Sequence, residues 1–589
     1  MILNRQRSVF GRSLRSPHTC LPCIPIRHKQ TSAYKAFLEE AKKKKDKEEN
    51  ERKYQKKKST KAFKFTSSAF IFVATLGVGY SQGRLQVLNQ PPKSLFPETS
   101  TAPVDDIRSP YYANEGEFEK ACKLIERVVG PNGFTDSDAE INGHADSYYS
   151  CMHPEPDQKP DLVVYVRSTA QVSKIMDICH RFNVPVVPYC GGTSIEGQYI
   201  STRGGIVLDF SKMADIVKFN EEDRTLTVQA GATWQDLEEF LKPSGLLFGP
   251  DPGPGAQIGG MVATSCSGTN AYRYGTMKEN VVSLKVVLSD GTVVDTGSSN
   301  SGYDLTRLIV GSEGTLGLVT EATLRLAPRP KAETVALVSF DNVFNAVQAA
   351  QDIISRGIPL NAIELLNAKS VFYVNQSGLL HKKLEEKPTL LMKIGGASQS
   401  LLDETVKITR KITKTHNETA FKFASNEEEM DQLWMARKVL YWSNLEYAKK
   451  AAGPDVNAWT TDVAVPISAL PKMVDQFEKE LDKSGIIGSI IGHVGDGNFH
   501  ALLMYTQDQK EAATNLVSRM VDQSLKLEGT STGEHGIGYH KREFLIEEVG
   551  QTSVDTMRKL KMVLDSKRIL NPDKVIVVDR SEPQPDRSE

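Results

Sequence analysis

The sequence predicts an α+β protein of several units. Three observations carry that prediction. Strand-like and helical hydrophobic periodicities alternate from about residue 111 onward. The break Pro328-Arg329-Pro330 divides that stretch into a block of mixed α/β layers and a block with an antiparallel sheet. Ahead of both lies a basic head with one long uncharged run. The chain has 589 residues, whereas single domains hold about 100–200. With 39% hydrophobic and 25% charged residues it is neither collagen-like nor wholly disordered. Seven cysteines in this length are too few for a disulfide scaffold. The net charge of −1 hides a split: residues 1–84 carry 20 Lys/Arg against 6 Asp/Glu, and the remainder carries 52 against 67, a net of −15.

The head comes first. Residues 1–38 contain seven basic residues, among them Arg5, Arg12 and Lys29, and no acid. Ser and Thr are interspersed, so the segment reads as a mitochondrial transit peptide and not as a nucleic-acid-binding arm. Its Cys20-Leu21-Pro22-Cys23 has no βαβ pattern around it and carries no redox reading. Residues 39–64 are a charged linker. Residues 65–83 contain no charge and have an apolar middle, Phe70-Ile71-Phe72-Val73-Ala74. Such a run is long enough, at 1.5 Å per residue, to cross a hydrocarbon core of about 30 Å as a single transmembrane helix. The lysines before it orient the N-terminus inward, with the body in the intermembrane space. Residues 84–110 are rich in Pro, Ser and Thr and form a linker.

In the first block, residues 162–166 and 184–187 read as short buried strands flanking a helix over 170–182, whose apolar positions Val172, Ile175, Met176 and Cys179 share one face. In the second block, strands are expected at 335–340, 390–394, 486–493 and 501–505. Amphipathic helices at 343–355 and 401–416 lie between them. No GxGxxG and no GxxxxGK[ST] occurs, which argues against a dinucleotide site of Rossmann type and against a P-loop. Three other glycine loops do occur. They are Cys190-Gly191-Gly192-Thr193-Ser194, the run from Asp251 through Gly259-Gly260 to Ser265 and Gly268, and Gly311-Ser312-Glu313-Gly314. Glycine lets backbone approach a ligand closely, and successive exposed N–H groups suit an anion.

These loops, in this order and spacing, resemble the FAD-binding domain of the vanillyl-alcohol-oxidase (PCMH) type of flavoprotein, from about Asp136 to Asp579. The resemblance extends to the mitochondrial 2-hydroxy-acid dehydrogenases, which share the layout of presequence and anchor. It implies FAD between two α/β subdomains in residues 111–330, and an α+β cap or substrate domain in residues 331–589. Gly191, Gly192, Thr193 and Ser194 would hold the pyrophosphate. Gly259, Gly260, Ser265 and Gly268 would line flavin and diphosphate, with Glu313 and Gly314 nearer the adenosine. Cys190 and Gly191 stand where some relatives carry a flavin-linked histidine, so non-covalent FAD is expected.

His493-Val494-Gly495-Asp496-Gly497-Asn498-Phe499-His500 separates two strand-like runs. With Asp496-Gly497 as a two-residue turn, His493 falls directly opposite His500, with Cβ atoms about 4.5–5.5 Å apart. Two imidazoles that close suit one metal ion. Gly533-Glu534-His535-Gly536 adds a glycine-flanked carboxylate and imidazole, and two His plus one carboxylate leave coordination positions open, as catalytic sites do. No HExxH is present, so a zincin protease is unsupported.

The resemblance divides the roles. His493, His500 and Glu534 would bind a divalent metal, zinc being expected. His535 would be the general base, and Arg437 would bind the substrate carboxylate. Relatives acting on 2-hydroxyglutarate carry a polar residue where this chain has Leu502, and a lysine where it has Thr460 or Thr461 before Asp462. Both departures remove partners for a second carboxylate, whose burial unpaired is costly. The implied reaction is oxidation of D-lactate to pyruvate by hydride transfer to FAD, with electrons passed to cytochrome c. D-2-hydroxyglutarate dehydrogenation is the alternative.

Overall fold

In the computed structural model the described residues are 39–51 except 41, and 104–581 except 105–106, 148, 152 and 298–300. The expected transit peptide, the uncharged run at 65–83 and most of the linker lie outside them. Among the described residues no helix is long and apolar enough to cross a membrane. Residues 1–94 and 95–589 are separate units. Residues 42–51 of the first are an exposed helix, and the second carries everything below.

The second unit is built on three sheets. The first has four strands, ordered Phe134–Thr135, Leu162–Tyr165, Ile206–Asp209, Val186–Tyr189, and is parallel except for its first edge. The helix Thr169–Phe182 makes the crossover between parallel strands, as parallel pairing requires. Ser168 caps its N-terminus on the Gln171 N–H, and Asn183 ends it in a left-handed turn. The second sheet is antiparallel around the long strand Leu318–Pro328, which pairs with Thr225–Gln229, Val281–Val287 and Leu246–Phe248.

The third sheet has eight strands, with Ala332–Phe340, Thr389–Gly396, Leu360–Leu366, Ile487–Gly492 and Asn498–Tyr505 as consecutive neighbours. It is covered on both faces, and the strand period of two sorts its side chains. Ala336, Val338, Phe340, Phe499, Ala501 and Leu503 pack with the helices Val343–Ser355, Leu470–Ser484 and Lys510–Lys526. Val335, Leu337, Leu502 and Met504 face the helices Ala368–Ser377, Glu427–Lys438 and Leu440–Ala452. His500 shares parity with Leu502, and Glu364 with Ala362 and Leu366, so both polar side chains point to this second face.

A cut at Pro328–Pro330 does not separate two self-contained layers. Ile569 and Leu570 belong to the core of the first sheet, and Val186 exchanges backbone hydrogen bonds with Ile569 and Asn571. The chain crosses to the third sheet and returns, which brings residues 534–541 back against the glycine loops.

Candidate active site

The three glycine loops converge on one cleft. Of the predicted cofactor set, Gly192, Ser194, Gly259, Gly260, Glu313 and Gly314 line it, together with Cys190. Gly314 needs its left-handed φ of +72°, and a Cβ there would lie 2.5 Å from Pro188 in the strand leading to the first loop. Gly191, Ser265 and Gly268 set loop geometry. A Cβ on Gly191 would meet the Gly255 carbonyl, Ser265 caps the helix Ile258–Thr264 in a left-handed conformation, and Gly268 packs on Asp251. Thr193 sits between two lining residues. Burial raises the Cys190 thiol far above its ordinary range, so it lines the cleft uncharged.

Glu313 lines the cleft and also reaches beyond it. It is buried, and its two carboxylate oxygens accept the backbone N–H groups of Ile537 (2.7 Å) and Gly538 (2.8 Å). Burial pushes it up to about 7, against those two hydrogen bonds. The carboxylate therefore faces the loop that carries Glu534 and His535.

The histidine hairpin forms, but not with the expected turn. Ile491, not His493, pairs with His500, and residues 494–496 form a 3₁₀ turn closed by Asp496 N–H and Asn498 N–H donating to the His493 carbonyl. The register is shifted by two residues. A shift of two, unlike a shift of one, leaves every side chain on its original face. The imidazoles therefore still meet, their ring centroids 5.5 Å apart.

Three candidate ligand atoms converge there. Glu534 Oε1 lies 3.0 Å from His493 Nε2 and 3.2 Å from His500 Nε2. Each imidazole is oriented from its other nitrogen. His493 Nδ1 faces Glu364 Oε1 at 2.7 Å, and His500 Nδ1 donates to the Thr461 carbonyl at 2.8 Å. Those partners select the tautomers that turn both Nε2 lone pairs toward the Glu534 carboxylate, the carboxylate–histidine arrangement of metal sites. Three electron-rich atoms so placed repel unless a cation lies among them. Burial opposes protonation of His493, yet the Glu364 and Glu534 carboxylates hold its pKa well above the ordinary imidazole value, so without an ion a proton on His493 supplies the positive charge that a metal would replace. The donor set fits a divalent ion. Asp462, His500 and His535 also cluster, but Asp462 Oδ2 already accepts from Thr532 Oγ1 and from the N–H groups of Glu534 and His535. That second cluster is a hydrogen-bonded frame.

His535 stacks on His500, with ring centroids 4.9 Å apart and planes at 16°. Its Nδ1 lies 3.8 Å from Asp462 Oδ2. Burial pushes its imidazole down to about 4; the Asp462 carboxylate opposes this and His500 adds to it. An unperturbed histidine titrates near pH 6.5, so this imidazole is held neutral well below neutrality. The neutral form, the one able to accept a proton, is present above its pKa and lost as pH falls through it. The kcat/KM for the hydroxy acid should therefore stay level from neutrality down to about pH 5 and fall only below that. An acid limb centred near 6.5 in the pH–rate profile would contradict the assignment.

Arg437 lies at the edge of this cluster. Its Nε donates to Glu364 Oε2 at 2.7 Å, so Glu364 bridges the guanidinium and His493. The predicted carboxylate binder is thereby tied through Glu364 to the histidine pair, and its terminal nitrogens have no partner among the described residues. Leu502 is buried in the apolar cluster beneath, and Thr461 serves His500 through its carbonyl. Sequence reasoning missed Glu364 and Asp462 as framing groups. The available signal for Glu364 was an acid in a strand, Leu360–Leu366, that is buried at every position.

Comparison with known proteins shows the family and the fold. Residues 160–297 match the FAD binding domain model, and residues 329–575 match the model for the C-terminal domain of FAD linked oxidases. The mitochondrial D-lactate dehydrogenase [cytochrome] of Kluyveromyces lactis is 47% identical over 497 residues, covering 83% of this chain and 86% of that protein. The glycolate oxidase subunit GlcD of Bacillus subtilis is 32% identical, covering 78% of this chain and 96% of that protein. Among solved structures, 4-ethylphenol oxidase from Gulosibacter chungangensis superposes with a TM-score of 0.65 at 16% identity, over 80% of this chain and 99% of that one; at that identity the likeness speaks for the FAD-binding PCMH-type fold. The chain is an FAD-binding enzyme that belongs to the FAD-linked oxidases, in the family of the mitochondrial D-lactate dehydrogenases (cytochrome).

Proposed function

We propose that this chain oxidises D-lactate to pyruvate and passes the electrons to cytochrome c. The observation that carries the reading is the convergence of His493, His500 and Glu534 beside His535 and Arg437. When bound, a divalent ion on the first three residues supplies a Lewis acid for a substrate hydroxyl, and FAD in the glycine-lined cleft supplies the hydride acceptor.

The protein groups do the rest. Arg437 holds the substrate carboxylate through its terminal nitrogens, a planar fork suited to that anion. His535 takes the hydroxyl proton. Its ring is fixed by stacking on His500, and its backbone by the Asp462 carboxylate. Asp462 is fully buried and held below the usual carboxylate range. Burial works against this, but His535, Lys541 and His500 outweigh it. The names of the relatives favour a small 2-hydroxy acid. Leu502, buried in an apolar cluster, offers nothing to a second carboxylate, which favours lactate over 2-hydroxyglutarate.

The mitochondrial relatives and the basic, acid-free head support a mitochondrial destination. We place the body in the intermembrane space, with the uncharged run at residues 65–83 as its inner-membrane anchor. Its net charge of −15 beyond residue 84 then suits a basic one-electron carrier. Opposite fields speed encounter about 10–10³-fold at low salt, and screening shortens their reach to about 8 Å near 0.15 M. With D-lactate as donor, reduction of cytochrome c should slow steeply with added salt while reduction of a neutral dye hardly changes. Equal salt dependence for the two acceptors would remove the carrier from the proposal. Faster turnover of D-2-hydroxyglutarate than of D-lactate would remove the substrate.

A further inference from the structure

The loop that carries Glu534 and His535 is held by the wall of the FAD cleft. Gln198, which lines the cleft, donates through Nε2 to the His535 carbonyl at 2.7 Å. Glu313, which also lines it, accepts the N–H groups of Ile537 and Gly538. The Glu196 carbonyl accepts those of Tyr539 (2.9 Å) and His540 (3.3 Å). Asn571, a third lining residue, ties the first two together by donating to the carbonyls of Gln198 (3.0 Å) and Glu313 (2.7 Å). Packing leaves the loop little freedom to slide. A Cβ at Gly536 would lie 2.7 Å from Glu313 Oε1, and one at Gly538 would lie 2.0 Å from the Glu196 carbonyl.

Four successive N–H groups, Ile537 to His540, and the His535 carbonyl thus depend on Glu196 and Gln198, just after the first glycine loop, and on Glu313 of the third. These loops shape a cleft that has to be ordered for a dinucleotide to bind. Glu534 is the one ligand of the metal set that comes from the clamped loop, because His500 lies on a strand of the third sheet and His493 directly follows the neighbouring one. Ordering the cleft therefore also sets Glu534 in place, and fixing Glu534 on an ion restrains the cleft wall in return. Binding at two sites through one shared element is a coupling free energy, and it is reciprocal.

We propose that Gln198 and Glu313 are positioning residues that couple FAD binding to divalent-metal binding, so that each ligand raises affinity for the other. The inference rests on the metal set proposed above. Coupling of this kind is commonly about 5–150-fold in affinity.

The test uses the full-length, FAD-loaded protein. FAD dissociation is followed by the return of free-flavin fluorescence, with zinc bound and after zinc is removed by a chelator. Zinc affinity is measured by competition with a fluorescent chelator, before and after FAD release. The expected result is a rise in both dissociation constants by one common factor within that range. In Glu313→Gln, which keeps the volume but turns an amide NH₂ toward a backbone N–H, the factor should shrink toward one while each ligand still binds. In Gln198→Glu, a carboxylate facing the His535 carbonyl should act likewise. Wild-type affinities for FAD and zinc that are independent of each other would overturn the coupling alone. FAD-loaded protein that takes up no zinc would overturn the metal set and the coupling together. Unchanged coupling in both variants would remove Gln198 and Glu313 from the path.

Discussion

His535→Ala should retain FAD and metal and lose turnover by roughly 10²–10⁴-fold, the range expected when a positioned general base is removed. The imidazole makes no hydrogen bond that orients the metal set. Its ring stacks on His500, while the His500 tautomer is set by the Thr461 carbonyl on the far side. Its backbone N–H and carbonyl, which Asp462 and Gln198 hold, survive the substitution. The deficit should appear in kcat and in kcat/KM alike, because the missing interaction forms as the proton moves. Stopped-flow reduction of the flavin by D-lactate, with flavin and metal content measured on the same sample, reads all three quantities. A variant that loses metal along with activity would make His535 a ligand.

His493→Ala and Glu534→Ala should show the complementary pattern: metal content and turnover fall together while FAD stays largely bound. Removing His493 leaves Glu364 and Glu534 without the imidazole between them. Glu364 keeps Arg437 and Glu534 keeps His500, but each buried carboxylate loses one partner, so some loss of thermal stability accompanies the loss of metal. Glu534→Ala removes the charge on which both imidazoles converge, and it should lower metal affinity more than stability. Elemental analysis beside turnover separates these effects. Full activity in a metal-stripped enzyme would make the site structural.

How much of this was legible in the sequence differs between the fold and the site. The helix over residues 343–355 was readable to the residue, because an uninterrupted 3.6-residue period spans it and Asn342 supplies an N-cap. The glycine loops were readable as ligand loops, since glycine at positive φ leaves a local signature. The histidine pair was readable through strand parity, which the two-residue register shift preserves. The turn itself was not, because Asp-Gly also suits a 3₁₀ turn ending in a left-handed glycine, as Gly497 does with φ of 77°. Gln198, Asp462 and Glu364, and the backbone contacts of Glu313, escaped because the partners lie 337, 73, 129 and 224 residues away. No local period or spacing encodes such a contact. The resemblance pointed to Glu313 as a cofactor residue; the structure keeps it in the cleft wall and adds its bonds to the backbone of Ile537 and Gly538.

The claim that binds these observations together is that one site joins a flavin, a divalent ion and a small 2-hydroxy acid. Mixing D-lactate with the purified, FAD-loaded protein under anaerobic conditions tests it most directly. The flavin's visible absorbance should bleach within the turnover time, pyruvate should form in equal amount to the flavin reduced, and prior removal of the metal should abolish the reaction. A flavin that stays oxidised with D-lactate while both FAD and metal are bound would contradict the account.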